Sequence, residues 1–294
     1  MVKAMNMQRT LIALTLAGAL AALVMPALAE DQPSPPRVKW SFAGPFGKYD
    51  EAQLQRGFKI YKEVCSNCHS MEMLTFGNLA DPGGLGYSEA QAEAVAADYK
   101  IKDLDDKGQP TERAGRAADH FPTPFANTKA AQATYGVAPP DMSTLAKARS
   151  YSRGFPWFVF DAFTQYQEQG PDYIAAYISG YKDPPKDFKL PEGGHYNEYF
   201  PGHNTAMPQP LQDGQVTYDD GAPQTIAQYS KDVAAFLEWA AEPRLVQRKR
   251  LGFQVFIFLI VLTGLLYFTK KKVWHEVEKP RERAHGQDPA KTSV

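Results

Sequence analysis

The sequence is short of cysteine: its 294 residues hold two, Cys65 and Cys68. Two thiols three positions apart close too small a loop to staple a fold, so a disulfide framework is excluded as the source of stability. No internal repeat and no phosphate-binding glycine loop occurs. Basic residues are scarce between Glu30 and Pro243, where 29 Asp and Glu face 19 Lys and Arg, a net charge of −10 hidden inside a whole-chain value of −1. That acidic excess excludes nucleic acid as a natural partner. It serves solubility and would steer a basic protein by long-range attraction that salt screens. Charge disappears altogether from Leu251 to Phe268.

Two apolar runs stand out from a composition that is 44% apolar. The first opens with Lys3 and Arg9, runs from Leu11 to Val24, and ends in Pro26 and the small-residue site Ala27-Leu28-Ala29. This is the pattern of a secretion signal covering residues 1–29. The second, Leu251–Phe268, would cover about 27 Å as a helix, close to the thickness of a hydrocarbon core. The expected organisation is an exported head at 30–243, a transmembrane anchor at 244–270 and a short cytoplasmic tail at 271–294. Basic residues flank both ends of the anchor, so the positive-inside rule favours a cytoplasmic C-terminus only modestly, and the export signal decides the orientation. The expected location is a bacterial inner membrane, crossed once, with the head in the periplasm. Gly (22) and Pro (23) are plentiful enough to predict long ordered loops between few helices.

The two cysteines belong to Cys65-Ser66-Asn67-Cys68-His69. Thiols at i and i+3 share one face of a helical turn and can each form a thioether with a haem vinyl group, while the adjacent imidazole points at the iron from the same side. A zinc site would need four ligands, and no paired histidines supply the other two. A redox dithiol would need a β-α-β context that is missing here. The motif therefore predicts one covalent haem c, with Cys65 and Cys68 as attachments and His69 as an iron ligand. Asp50 as N-cap, Gln53 three residues later, and Leu54, Phe58, Tyr61 and Cys65 at helical spacing predict an amphipathic helix leading into it.

The ligand on the other side of the iron separates a carrier from a catalyst, because methionine closes the metal whereas an open position invites oxygen or peroxide chemistry. Met71 and Met73 follow His69 too closely to reach the opposite face. Met142 begins a helix-like stretch and reads as core. Met207 stands in Tyr199-Phe200-Pro201-Gly202-His203-Asn204-Thr205-Ala206-Met207-Pro208, a proline-bracketed loop, and is the best candidate. His195 and His203 flank that loop and remain rivals. His120 has no second feature beside it, and His275 and His285 fall on the far side of the anchor.

Elsewhere, Ile226, Tyr229, Val233, Phe236, Leu237 and Ala240 predict a helix that closes the core and that Pro243 terminates before the anchor. Ala80–Thr134 reads as a polar, partly helical excursion. Tyr151–Tyr181 is rich in aromatics, Trp157, Phe158, Phe160, Phe163, Tyr173 and Tyr177, which read as core, haem wall or partner surface, with core packing the default.

Taken in order, Gly47-Lys48-Tyr49-Asp50, the haem motif with Ser70, Pro139-Pro140-Asp141 followed by Ala146-Lys147-Ala148-Arg149, Asp172-Tyr173-Ile174, Tyr199-Phe200-Pro201-Gly202 with Ala206-Met207-Pro208, and Trp239-Ala240-Ala241-Glu242-Pro243 before a single span resemble the cytochrome c1 family. The resemblance runs from about Trp40 through the anchor. It implies a mainly α, cytochrome c-like haem domain with long loops and one C-terminal transmembrane helix. It also implies that Met207 is the distal ligand, that a carbonyl of Pro139-Pro140 holds the His69 ring N–H, and that Arg149 and Tyr173 contact the haem propionates. The implied function is electron transfer within ubiquinol–cytochrome c reductase, from the Rieske iron–sulfur protein to a c-type cytochrome, beside cytochrome b in the lipid bilayer, with no catalytic site of the chain's own. The alternatives are a membrane-tethered cytochrome c shuttle, an oxidase haem subunit, or a haem peroxidase. The chain departs from the family in a longer run between Arg149 and Asp172. It also has no cysteines for the extra pair some bacterial relatives carry near the methionine loop, which leaves the prolines to keep that loop rigid.

Overall fold

The structure is a computed structural model that describes residues 33–151, 156–164 and 166–285. The expected signal segment and residues 286–294 lie outside the described residues.

The first helix, α1 (Glu51–Glu63), starts where the Asp50 carboxylate accepts the Gln53 backbone N–H at 2.8 Å, and it buries Leu54, Phe58, Ile60 and Tyr61. It stops at Val64, and Cys65–Asn67 continue as a 3₁₀ turn, so the helical periodicity read through Cys65 overshoots the α-helix. After a short 3₁₀ segment at Phe76–Ala80 come α2 (Glu89–Ala97), an antiparallel hairpin of β1 (Lys100–Leu104) and β2 (Pro110–Ala114), and α3 (Thr128–Tyr135). Then follow α4 (Leu145–Ala148), α5 (Trp157–Thr164), α6 (Gln169–Ser179), a two-residue ladder of β3 (His195–Tyr196) with β4 (Asn204–Thr205), α7 (Ile226–Ala241) and α8 (Leu245–His285). Helices joined by long loops make the protein mainly α, as the sequence led us to expect.

The core gathers around α7, which packs against α1, α4 and α6 and buries Tyr229, Val233, Phe236, Leu237 and Trp239. Its approach to α1 is close enough to require glycine. A Cβ on Gly57 would lie 2.2 Å from the Asp232 carbonyl oxygen. The Asp232 carboxylate is fully buried, which is tolerable because Arg56 (2.9 Å), the Tyr218 hydroxyl (2.9 Å) and the Gln228 amide (2.8 Å) all donate to it.

Two segments differ from the sequence reading. The polar excursion contains the β1–β2 hairpin, whose strands are exposed or half-buried at every position and so show no alternation to betray them. Its turn is set locally, by Asp105 accepting the N–H groups of Lys107 and Gln109, both at 2.8 Å, and by Gly108 at φ +74°. The aromatic stretch divides. Tyr173 is buried and Tyr177 half-buried, whereas Trp157, Phe158 and Phe160 on α5 are 51%, 59% and 53% exposed. The buried Asp161, bridged to Arg37 at 3.2 Å, turns the polar side of α5 toward the head and its rings outward. The Phe163 side chain is outside the described residues.

Only Glu242, Pro243 and Arg244 separate α7 from α8. From Leu245 to His275, α8 is long and apolar enough to cross a membrane, and the protein is membrane-anchored through it. The helix does not end at residue 270 but continues through Lys270, Lys271 and Lys272 to His285. At its start the head grips it: Lys249 Nζ donates to the Phe42 carbonyl at 2.5 Å, Arg248 pairs with Glu242, and Phe46 sits edge-on to Phe253 at 5.5 Å.

Candidate functional site

The turn after α1 folds the Cys-x-x-Cys-His segment onto one carbonyl, since the Cys65 oxygen accepts from the N–H of Cys68 at 3.1 Å and of His69 at 2.9 Å. Both cysteines are free thiols. Burial, and then the neighbouring Cys68, push the Cys65 thiol up to about 12. The Cys68 sulfur lies 3.1 Å from the Tyr135 hydroxyl.

The buried His69 ring places Nδ1 2.8 Å from the Pro140 carbonyl oxygen. A carbonyl can only accept, so Nδ1 carries the proton and Nε2 keeps its lone pair for a metal. Burial lowers the imidazole's pKa, against the opposing pull of the Pro140 bond and Asp141, which favours this neutral form. Pro140 rather than Pro139 supplies the contact. The loop that offers it is laced to the haem motif by Asp141, whose carboxylate accepts from the Ser70 hydroxyl at 2.8 Å and from the N–H groups of Glu72 and Ser143, both at 2.9 Å. The Met142 N–H adds a bond to the Ser70 carbonyl at 2.8 Å.

The methionines sort by burial. Met71 and Met142 are sealed in the core, Met73 is 69% exposed beside His69, and Met207 is half-buried in its loop. The backbone of Met207 is held at both polar groups, its carbonyl accepting from the Tyr181 hydroxyl at 3.0 Å and its N–H donating to Thr205 Oγ1 at 3.3 Å. Of the rival histidines, His203 stacks on Tyr196 at 5.4 Å with Nδ1 3.1 Å from the Asn197 carbonyl, and so is engaged within its own loop. His195 is half-buried in β3, and His120 is exposed, bridged through its backbone to Thr75.

Arg149 caps the C-terminus of α4 and lies near enough to Tyr173 to pull that phenol's pKa downward, although burial keeps it raised, to about 12. The two residues expected at the propionates are therefore brought together. Tyr173 in turn stacks on Tyr177 at 6.0 Å.

These residues fit a c-type haem. Two reduced thiols on one turn, a buried neutral imidazole with Nδ1 already spent, a thioether in a braced loop, and an arginine and tyrosine for carboxylates match its donor requirements. Among the described residues no group of three or more His, Cys, Asp and Glu is gathered as for a metal ion. Cys65, Cys68, His69 and Met207 would hold the haem, with Arg149 and Tyr173 beside it. Bound there, it supplies one-electron redox chemistry at iron. The sequence reading gave no role at the site to Asp141, Tyr135, Thr205, Tyr177 or Tyr181. The tyrosines at 173, 177 and 181 recur at intervals of four, a helical signal that could have singled out the last two.

Comparison with known proteins points the same way. The model of the Cytochrome C1 family matches residues 40–277. "Cytochrome b/c1" of Bradyrhizobium diazoefficiens is 60% identical over 90% of this chain, which spans 39% of that longer protein. "Cytochrome c1" of Blastochloris viridis is 50% identical over 92% of this chain and 97% of its own length. "Cytochrome c1 1, heme protein, mitochondrial" of Arabidopsis thaliana is 39% identical over 81% of this chain and 71% of its own length. With the haem-fitting turn, the single membrane-crossing helix and these matches together, the chain belongs to the cytochrome c1 family, the electron-carrying c-type haem subunits of the bc1 complex.

Proposed function

We propose that this chain relays single electrons in a ubiquinol–cytochrome c reductase, taking them from a Rieske iron–sulfur partner and delivering them to a c-type cytochrome, with cytochrome b as its neighbour in the bilayer. The head lies on the periplasmic side of a bacterial inner membrane and the C-terminus in the cytoplasm. The observation that carries the reading is the Cys65–His69 turn with its imidazole fixed by the Pro140 carbonyl. A relay needs a metal site that scarcely rearranges between oxidation states, and fixing both the tautomer and the ring orientation serves that need.

On this reading Cys65 and Cys68 hold the macrocycle, His69 is the proximal ligand, Met207 the distal one, and Arg149 and Tyr173 neutralise and orient the propionates. The acidic head favours encounter with a basic acceptor. A relative named for both cytochrome b and c1 supports cytochrome b as the neighbour. The three-residue junction between α7 and α8 leaves no flexible leash of the kind a tethered shuttle needs.

Detergent extraction of the native membrane, followed by mass-spectrometric identification of what accompanies the chain, tests the assembly. Cytochrome b and a Rieske protein should co-purify, and solitary behaviour would overturn it. Protease treatment of sealed spheroplasts tests the orientation, with digestion of the head from outside as the expected result.

A further inference from the structure

The loop that carries Met207 has no disulfide to brace it, and its prolines, lacking an N–H, cannot donate a hydrogen bond to the methionine carbonyl. What touches its backbone polar groups comes from a set of three hydroxyls. Met207 N–H donates to Thr205 Oγ1 at 3.3 Å, Thr205 Oγ1 lies 2.7 Å from the Tyr177 hydroxyl, the Tyr177 and Tyr181 hydroxyls are 3.2 Å apart, and Tyr181 reaches the Met207 carbonyl at 3.0 Å. The path leaves Met207 at its nitrogen and returns at its oxygen.

Tyr181 is the donor on both of its contacts, to the Met207 carbonyl and to the Tyr177 hydroxyl, so one proton is shared between two acceptors. Tyr177 accepts from Tyr181 and keeps its own proton for Thr205 Oγ1, which also accepts from the Met207 N–H. Hydroxyls linked in this way polarise one another. The scaffold under it is firm. Tyr177 lies on α6, packed against Tyr173 and Phe200, and its own carbonyl accepts from the Asn197 amide at 2.7 Å.

We propose that Tyr177 and Thr205 are positioning residues for the iron ligand, closing with Tyr181 a ring of hydroxyls that holds Met207 in place of the absent disulfide. The proposal rests on Met207 being the distal ligand. Tyr177 acts by ordering the hydroxyls that grip the methionine backbone.

The test uses the full haem-loaded chain in its extracted complex and follows the sulfur-to-iron charge-transfer band of the ferric haem as pH is raised. Tyr177→Phe keeps the ring and removes the hydroxyl. It should increase about tenfold the ratio of methionine-displaced to methionine-ligated protein at a given alkaline pH, the effect of one broken buried hydrogen bond, and lower the reduction potential. Thr205→Val should do the same, and Thr205→Ser, which keeps the hydroxyl, should behave as the parent. Because either change opens the same ring, the double variant should lose little more than each single one. Unchanged band and potential in both single variants, or fully additive losses, would overturn the proposal. Met207→Leu separates the two readings: if it leaves the band in place, the ligand assignment itself fails, whereas its loss beside an unchanged Tyr177→Phe defeats only the ring.

Discussion

The Pro140 carbonyl sits 2.8 Å from Nδ1 of His69, seventy-one residues away in sequence, so the orientation of the imidazole proposed as iron ligand depends on a loop with no chemistry of its own. What holds that loop is Asp141, through the Ser70 hydroxyl and two backbone N–H groups. Asp141→Ala leaves those three donors short of their acceptor and should cost about 1–3 kcal/mol in denaturant unfolding of the haem-loaded protein. Asp141→Asn, which keeps an acceptor oxygen, should cost less. Equal stability of the alanine variant and the parent would contradict this account of the loop.

With Met207 as the proposed distal ligand, Met207→Leu should lower the reduction potential and let carbon monoxide bind the reduced iron, because the thioether assigned to the sixth position is gone. Difference spectra of the reduced protein with and without carbon monoxide read this directly. Carbon monoxide binding to the unmodified native protein would instead favour an open site of the peroxidase kind.

At Gly57 the α1–α7 contact leaves no room for a side chain. Gly57→Ala should destabilise the head by about 1–3 kcal/mol through overpacking, despite alanine's better helix propensity. Chemical denaturation measures it, and a variant as stable as the parent would show that the helices can shift apart without cost.

The β1–β2 hairpin carries a pH signature. Asp119 is held down to about 2, first by its bonds from Arg113, at 2.6 and 2.8 Å, while burial pulls the other way. A carboxylate whose folded pKa is depressed lends stability that is fully present above its ordinary value near 3.8 and is lost as pH falls through about 2. Acidification across that window should loosen the hairpin in the parent. In Asp119→Asn, nuclear magnetic resonance shifts of residues 100–114 should keep only the transition of Asp103, which Arg113 also holds down, and lose the part that Asp119 adds.

How far the sequence reached depended on whether a residue's task is local. The helix 51–63 was legible because Asp50 caps it and its apolar residues repeat at helical spacing, and α7 for the same periodic reason. The Cys65–His69 turn was legible because its chemistry fits inside five consecutive residues. The hairpin was not, since strands exposed on both faces carry no hydrophobic alternation. The default of core packing failed for Trp157, Phe158 and Phe160 because composition cannot tell which side of a short helix is pinned, and Arg37, 124 residues before Asp161, pairs with its polar side. The bracing of Met207 was hidden likewise: Tyr181 and Thr205 come together only when α6 and the β3–β4 loop are folded.

The three-residue junction below α7, with Lys249 hooked on the Phe42 carbonyl and Phe46 laid against Phe253, makes the head and its membrane helix behave as a post with a fixed cap. A cap that cannot swing keeps its redox centre at one height above the lipid and at one bearing. A protein that exchanged an electron with this head would have to present itself at that height and bearing.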